Sequence, residues 1–504
     1  MNELLHFGEP SLLFRYDQSM LDPRDGLTLF GPLDKGKPYG IRWGLIGTPD
    51  TIDGFRKWIA SIQKPVGCGA QDIARPPFPG FEAVFGIPWP SEPVLTLTVD
   101  PAELQERAHL ADAHQRVFRT VDLFSEPIVR ALHGEDVRPD VWCVVIPDFV
   151  KQKCSPMSRL AAAERVEVAE RLTPRVGRSL YREPELFPER NALAEPYWYE
   201  LNFHHQLKAR LLSSDAPIQI VREPTITFPD VDGMKEDDYR KLEGLKSAVA
   251  WHIATAVFYK AGGRPWKLGG AREGVCYVGL VYKNVQTASD SRTACCAAQM
   301  FLDSGDGVVF KGAVGPWYGG KAGEYHLDRR AAEEVIRLCV DTYRQKRGQP
   351  PKQVFVHGRV NLRDDEWSGF QRGAGSSTQV IGVRIRPGSE VKIYRKGDNP
   401  VLRGLAYVMG KRRGSLWTRG FVPRLRTYPG REVPNPLQIE VCRGEESIET
   451  VMSDVLSLTK LNYNACQFAD GLPVTLKFAN AVGEILTAGP LRKDVPPLPF
   501  KYYI

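Results

Sequence analysis

Val141–Ile146 reads V-W-C-V-V-I, six apolar residues in a row that stop at Pro147-Asp148. A strand with two apolar faces must be covered on both sides, which is the position of a central strand in a parallel sheet. Ahead of it, I-R-W-G-L-I-G-T predicts a buried strand, with Thr48 placed to cap a helix that carries Ile52, Phe55, Trp58, Ile59 and Ile62 on one side. Val94–Val99 alternates as a strand, and Pro101 opens helices that run to about Leu132. Pro217–Val221 is a further short strand. The long run after it keeps Val249, Ile253 and Val257 on a helical period and stops at Gly262-Gly263. Strand, helix, strand, helix over residues 41–262 describes a doubly wound α/β unit, where ligands collect at the carboxyl ends of the strands. Residues 151–198, polar and rich in Arg, Glu and Pro, read as an insertion in it.

After Pro265-Trp266 the pattern changes. Val275–Tyr282 is a strand, Gly307–Gly312 belongs to a hairpin, and Arg329–Arg347 is a helix carrying Val335, Leu338 and Val340. Val354–His357 and Gln379–Ile385 are further strands, and Glu446–Leu458 and Leu472–Leu486 supply closing helices. Residues 1–40 hold the turn dipeptides Asp22-Pro23 and Gly31-Pro32 and predict a loop-like leading segment.

Composition sets the outer bounds. With 504 residues, 42% hydrophobic and 25% charged, the chain is ordinary globular protein, enough for roughly two to four domains. A net charge of +7 permits nucleic-acid binding, provided the cations cluster. No apolar run is long enough to span a bilayer, and M-N-E-L-L-H-F-G-E-P has no basic region leading an apolar core. The nine cysteines are odd in number, scattered and free of any C-x-x-C, the pattern of reduced thiols in a cytoplasmic protein.

The chemistry gathers between Tyr199 and Leu268. His204 and Lys208 are four residues apart and stack on one helix face. Gln219 is the polar member of the strand Pro217–Val221, and Lys260 falls in the last turn before Gly262. Two cations, an amide and a helix stop can converge on one small anion. In this order these residues resemble the MID domain of Argonaute proteins, which holds the 5′-phosphate of a guide strand. The resemblance assigns that role to His204, Lys208, Gln219 and Lys260, with Lys246 as the competing lysine. It extends over the chain after residue 20 and includes the final P-L-P-F-K-Y-Y-I. It implies a Rossmann-like MID domain (41–262) after an N-terminal segment (1–40), then an RNase H-like PIWI domain (263–504). With no stretch to hold the further domains of full-length relatives, the form it implies is the short prokaryotic one. It also implies that the Ile504 carboxylate, with Gln219, shares a Mg²⁺ with the guide phosphate.

PIWI domains that cut do so with carboxylates holding two divalent ions. At the positions that the resemblance matches to those ligands stand Val281, Gly358 and Asn480. Valine binds no Mg²⁺, glycine has no side chain and a lone asparagine is a weak neutral ligand. Slicing is therefore expected to be lost. Asp303, Glu324 and Asp365 would be the carboxylates of a divergent nuclease, the alternative enzyme reading. Lys392, Lys396, Lys411, Arg412, Arg413, Arg419 and Arg424, with Trp417 among them, are candidates for a strand-tracking surface. Short Argonautes of this type imply a guide RNA, a complementary single-stranded DNA target and a partner with an APAZ domain fused to a TIR or sirtuin-like effector that hydrolyses NAD⁺. D-P-R-D-G-L-T-L-F-G-P-L most resembles the TIR-associated group. The implied setting is defence against phage or plasmids; a scaffold with a vestigial pocket is the remaining alternative.

Overall fold

The computed structural model describes residues 2–504 apart from 70–71, 135, 137, 169, 285–292, 303–306, 317–324, 389, 429, 431 and 491–497. In chain order the strands are β1 (Asn2–His6), β2 (Leu12–Leu13), β3 (Ser19–Met20), β4 (Trp43–Gly47), β5 (Leu95–Thr98) and β6 (Val141–Ile146). They continue as β7 (Ile218–Arg222), β8 (Lys267–Leu268), β9 (Val275–Asn284), β10 (Thr293–Leu302), β11 (Gly307–Pro316) and β12 (Gln353–Gly358). The last are β13 (Gln379–Pro387), β14 (Leu405–Met409), β15 (Arg413–Leu416), β16 (Leu437–Arg443) and β17 (Leu498–Pro499).

Four strands in the order β5-β4-β6-β7 form a sheet in which every pair is parallel. The apolar run of β6 is explained by the layers it separates. Trp142, Val144 and Ile146 enter the core shared with the helix Ala113–Gly134, while Val141, Cys143 and Val145 join Trp43 and the helix Pro49–Ser61. All six positions are buried.

The second sheet has ten strands in the order β1-β14-β15-β16-β13-β12-β9-β10-β11-β17. Its centre is β10 and β11 antiparallel to each other, β9 antiparallel to β10, and β12 parallel to both β9 and β13. Cys276, Val278 and Leu280 of β9 meet the helices Arg329–Arg347 and Asp364–Ala374, whereas Val275 and Tyr277 face the core common to both halves. That common core runs from Leu12 and Trp43 to Ile504.

Four expectations need correction. Residues 1–40 are not loop-like: β1 pairs with β14 at the rim of the large sheet, and β2 with β3 and β8. The turn-like Asp22-Pro23 is a helix start, with the Asp22 carboxylate accepting from the Arg24 N–H (2.9 Å) and Pro23 opening the helix Pro23–Phe30. Leu338 lies on the outer face of its helix at 37% exposure, while Val335, Ile336, Cys339 and Val340 are buried. The stretch Leu472–Leu486 is two short helices, Val474–Lys477 and Ala479–Thr487, divided at Phe478.

Candidate anion-binding site

Three elements build the pocket. The Asn202 side chain caps the helix Phe203–Leu211, accepting from the backbone N–H of His204 (3.1 Å) and His205 (3.4 Å). β7 is the outer strand of the parallel sheet, so its far edge is unpaired by any neighbouring strand. The helix Glu236–Lys260 ends against it, and Gly262 turns the chain away at φ 102°.

The four residues of the sequence pattern come together with the C-terminus. Lys260 Nζ donates to the Ile218 carbonyl (3.0 Å) and to Gln219 Oε1 (2.7 Å). Lys208 Nζ donates to the carbonyl of Tyr503 (3.3 Å), and Lys501 Nζ donates to that of Lys260 (3.2 Å). Ile504, one residue beyond, is buried. His204 and Gln219 line a cavity of about 340 Å³ that Phe203, Ile220 and Ile253 help to wall.

Lys208 and Lys260 stand behind the cavity rather than in its lining, 4% and 1% exposed, and among the described residues they hydrogen-bond only to carbonyl and amide oxygens. In the lining itself His205 meets Glu200 (3.0 Å) and Arg222 meets Asp148 (3.4 Å). Burial pushes Lys208 down to about 7. Burial and the neighbouring Lys208 hold Lys260 well below the ordinary lysine range. His204 opens to solvent through the cavity mouth but is flanked by protein. Desolvation, then Lys208, His205, Lys260 and Lys151, keep its ring neutral. Such a site gains from a dianion, which supplies the counter-charge that the fold withholds.

The pocket differs in position from the expectation for a doubly wound sheet. Gln219 is the second residue of β7, not at its carboxyl end, and the cavity follows the open edge of β7 from Gln219 to Arg222. Of the lining residues only Ile146 and Arg222 mark strand ends. Two cations in its lining, Lys151 and Arg222, were missed by the sequence pattern. Their signal was position: Arg222 closes β7, and Lys151 lies in the short helix that follows the adjacent parallel strand β6. Lys246 pairs instead with Glu243 (3.1 Å) beside the Phe228 ring, outside the cavity.

For a metal at this pocket, the Gln219 carbonyl oxygen is already turned to Lys260, so Gln219 does not fit as a ligand. Ile504 is buried, and its terminal carboxylate is the type of ligand that Mg²⁺ takes together with phosphate oxygens and water.

In the large sheet, Val281 pairs with Ala297 across β10, and Gly358 ends β12 opposite Arg384. Asn480 lies in the first turn of the helix Ala479–Thr487. Strand alternation makes His357, rather than Gly358, the β12 residue that presents a side chain toward that helical layer. It pairs with Gly279 and shares a 2.9 Å hydrogen bond with the Thr475 hydroxyl. Burial pushes His357 down to about 3, so it is neutral. Asp303 and Glu324 lie outside the described residues. Asp365 is a surface partner of Arg329 (3.1 Å). Among the described residues no three His, Cys, Asp or Glu are placed to hold a metal ion.

The proposed strand-tracking cations do not form one surface. Lys411, Arg412 and Arg413 line a cleft of about 560 Å³ with Arg443, where Arg413 also pairs with Glu440 (2.8 Å). Arg419 lines a different cavity, Arg424 pairs with Asp25 (2.5 Å), and Lys392 and Lys396 stand exposed in the chain between β13 and β14. Trp417 is no stacking platform: it is fully buried and donates to the Pro434 carbonyl (3.1 Å).

Comparison with known proteins agrees with this architecture. No family model matches the chain. A protein argonaute of Aquifex aeolicus (strain VF5) is 24% identical over 354 residues, covering 68% of this chain and 45% of its own length. The structure of Clostridium butyricum Argonaute bound to a guide DNA and a 19-mer target DNA aligns with a TM-score of 0.60 at 14% identity, over 97% of this chain and 53% of that one. That of A. aeolicus Argonaute with externally bound siRNA aligns at 0.55 and 13%, over 99% and 56%. The chain is Argonaute-like, a mixed α/β fold consistent with a MID domain and an RNase H-like PIWI domain, and spans about half the length of the relatives it matches. Among the described residues no helix is long and apolar enough to cross a membrane.

Proposed function

We propose that this Argonaute-like chain is the guide-loaded sensor of a cytoplasmic prokaryotic defence complex. Its guide is a 5′-phosphorylated RNA, its target a complementary single-stranded DNA. The observation that carries the proposal is the convergence of Lys208, Gln219, Lys260 and the C-terminal turn beside His204, with two buried lysine side chains and, among the described residues, no carboxylate bonded to either. A terminal phosphate is the dianion such a pocket favours, and Lys151 lies in the lining of the cavity, with Arg222 held there beside Asp148 (3.4 Å). Mg²⁺ held by the Ile504 carboxylate would add positive charge for that phosphate.

The chain does not cut, on this reading, because Val281, Gly358 and Asn480 offer no pair of carboxylates for two ions. The output belongs to an APAZ-containing partner whose effector, TIR or sirtuin-like, hydrolyses NAD⁺ once guide and target pair. The motif at Asp22–Leu33 favours the TIR group. The experiment is co-purification. The chain expressed with its neighbouring open reading frame should carry short 5′-phosphorylated RNA, and the complex should consume NAD⁺ only when complementary DNA is added. Nucleic-acid-free complex, or cleavage of target by the isolated chain above a metal-free control, would overturn it.

A further inference from the structure

We infer that a second pocket, in the C-terminal half, takes one nucleotide: its heteroaromatic ring inside and its phosphate at Arg419. This cavity holds about 250 Å³ and shares no lining residue with the cavity at His204 and Gln219. It lies where the segment after β15 meets the short turn Pro423–Leu425 and the loop 467–471. It is smaller than the roughly 300–1,000 Å³ of pockets that enclose a whole drug-sized ligand, so it suits a single ring with the charged group left at the mouth.

Val422, Leu425 and Phe468 form a buried apolar cluster behind it. The other face of Phe468 is taken by Lys460, 3.9 Å from the ring centre. Two charged groups of the lining are already neutralised: Arg403 pairs with Glu9 (2.8 Å) and Asp470 with Lys477. Arg419 is different. It is exposed, and no carboxylate pairs with it among the described residues.

Its place is built. The Arg419 guanidinium lies across Gly471 and the Tyr428 ring across Gly430, and a Cβ on either glycine would collide with the group it seats. Burial raises the Tyr428 phenol while Arg419 pulls the other way, so the two are neighbours on one rim. Deeper in, the Gln467 amide donates to Asp470, leaving its oxygen to accept from an exocyclic amine. A bare anion would use Arg419 alone, and an acidic side chain has no flat ring for Tyr428 and Leu425. Cation, aromatic ring and amide together are what nucleotides are read with.

The ring can come from a free mononucleotide or from a base turned out of a bound strand. Two photoprobes separate these: 8-azido-AMP, and a 5′-hydroxyl single-stranded RNA with 8-azidoadenosine walked along it. Each is crosslinked to the full chain and the labelled peptides mapped. Label should fall on 419–430 or 467–471 in at least one arm. It should drop about tenfold in Arg419→Gln, the loss of one charge-assisted contact, and in Gly471→Val, and be unchanged in Lys208→Ala. Arg419→Gln is a surface change that leaves folding intact if Gly471→Val does not. Label confined to 199–222, or equal label in Arg419→Gln, overturns the proposal. Because the strand lacks a 5′-phosphate and Lys208→Ala is the control, either result leaves the first pocket untouched.

Discussion

Lys208 is the residue at which fold and function pull in opposite directions. A buried ammonium without a counter-charge weakens the empty protein. Its folded pKa, about 7, lies below the roughly 10.4 of an unfolded lysine. Between those values the unfolded chain holds the proton that the folded chain has lost, so the penalty is full below pH 7 and fades as pH rises toward 10. Lys208→Met should therefore stabilise the nucleic-acid-free chain at pH 6–7 by on the order of 1 kcal/mol or more, with the gain shrinking to nothing near pH 10. Comparing urea unfolding of the two proteins across pH cancels the buried thiols and phenols that titrate in the same window. A variant less stable at every pH would mean that the Tyr503 contact outweighs the stranded charge. At the same scale, chelating Mg²⁺ should weaken a 5′-phosphorylated guide and leave a 5′-hydroxyl guide unchanged. Equal affinities with and without chelator would remove the ion from the site.

At the level of elements, what was legible is what repeats locally. The apolar run of β6 announced two cores, and the Gly262-Gly263 stop placed Lys260 in a last helical turn. What was not legible depends on partners far along the chain. Asp22-Pro23 has the same residues whether it makes a turn or caps a helix, and the difference lies in Arg24, which the Asp22 carboxylate also holds at 2.7 Å. β1 finds its partner some four hundred residues away, so no local pattern could show it. Trp417 sits among Lys and Arg in sequence yet lies just past β15 in a continuous buried run from Gly414 to Thr418, where its ring is packed and its N–H is satisfied by the Pro434 carbonyl. His357 was hidden by the period of two in β12. Asp22→Ala should cost about 1–2 kcal/mol through the lost cap and the freed arginine, measured by chemical unfolding. Gly279→Ala should cost at least about 1–3 kcal/mol, because a Cβ there meets the Thr475 carbonyl, a backbone atom that cannot swing aside. A neutral Gly279→Ala would mean that the helix Val474–Lys477 stands off the sheet.

For the whole molecule, the C-terminal turn ties the two halves beside the pocket: β17 pairs with β11 at the edge of the large sheet, and Tyr503 then meets Lys208 on the helix Phe203–Leu211. The cavity itself is lined by residues 146–253, so on the proposed function a guide end held there would reach the large sheet through the contact of Lys208 with Tyr503. In the complex, activation should need guide–target pairing, and full effector activity with guide alone would contradict that. The most direct measurement is guide affinity across a salt series for the wild-type chain and Lys208→Ala, with 5′-phosphate and 5′-hydroxyl guides. For the phosphorylated guide, Lys208→Ala should lose roughly 1.5–3 kcal/mol, the scale of a hydrogen bond to a charged group, and lower the salt slope by about one. For the hydroxyl guide the loss should nearly vanish, and Lys246→Ala should do far less than Lys260→Ala. Equal losses for both guides would mean that Lys208 supplies only general positive charge, and the pocket would not be a phosphate site.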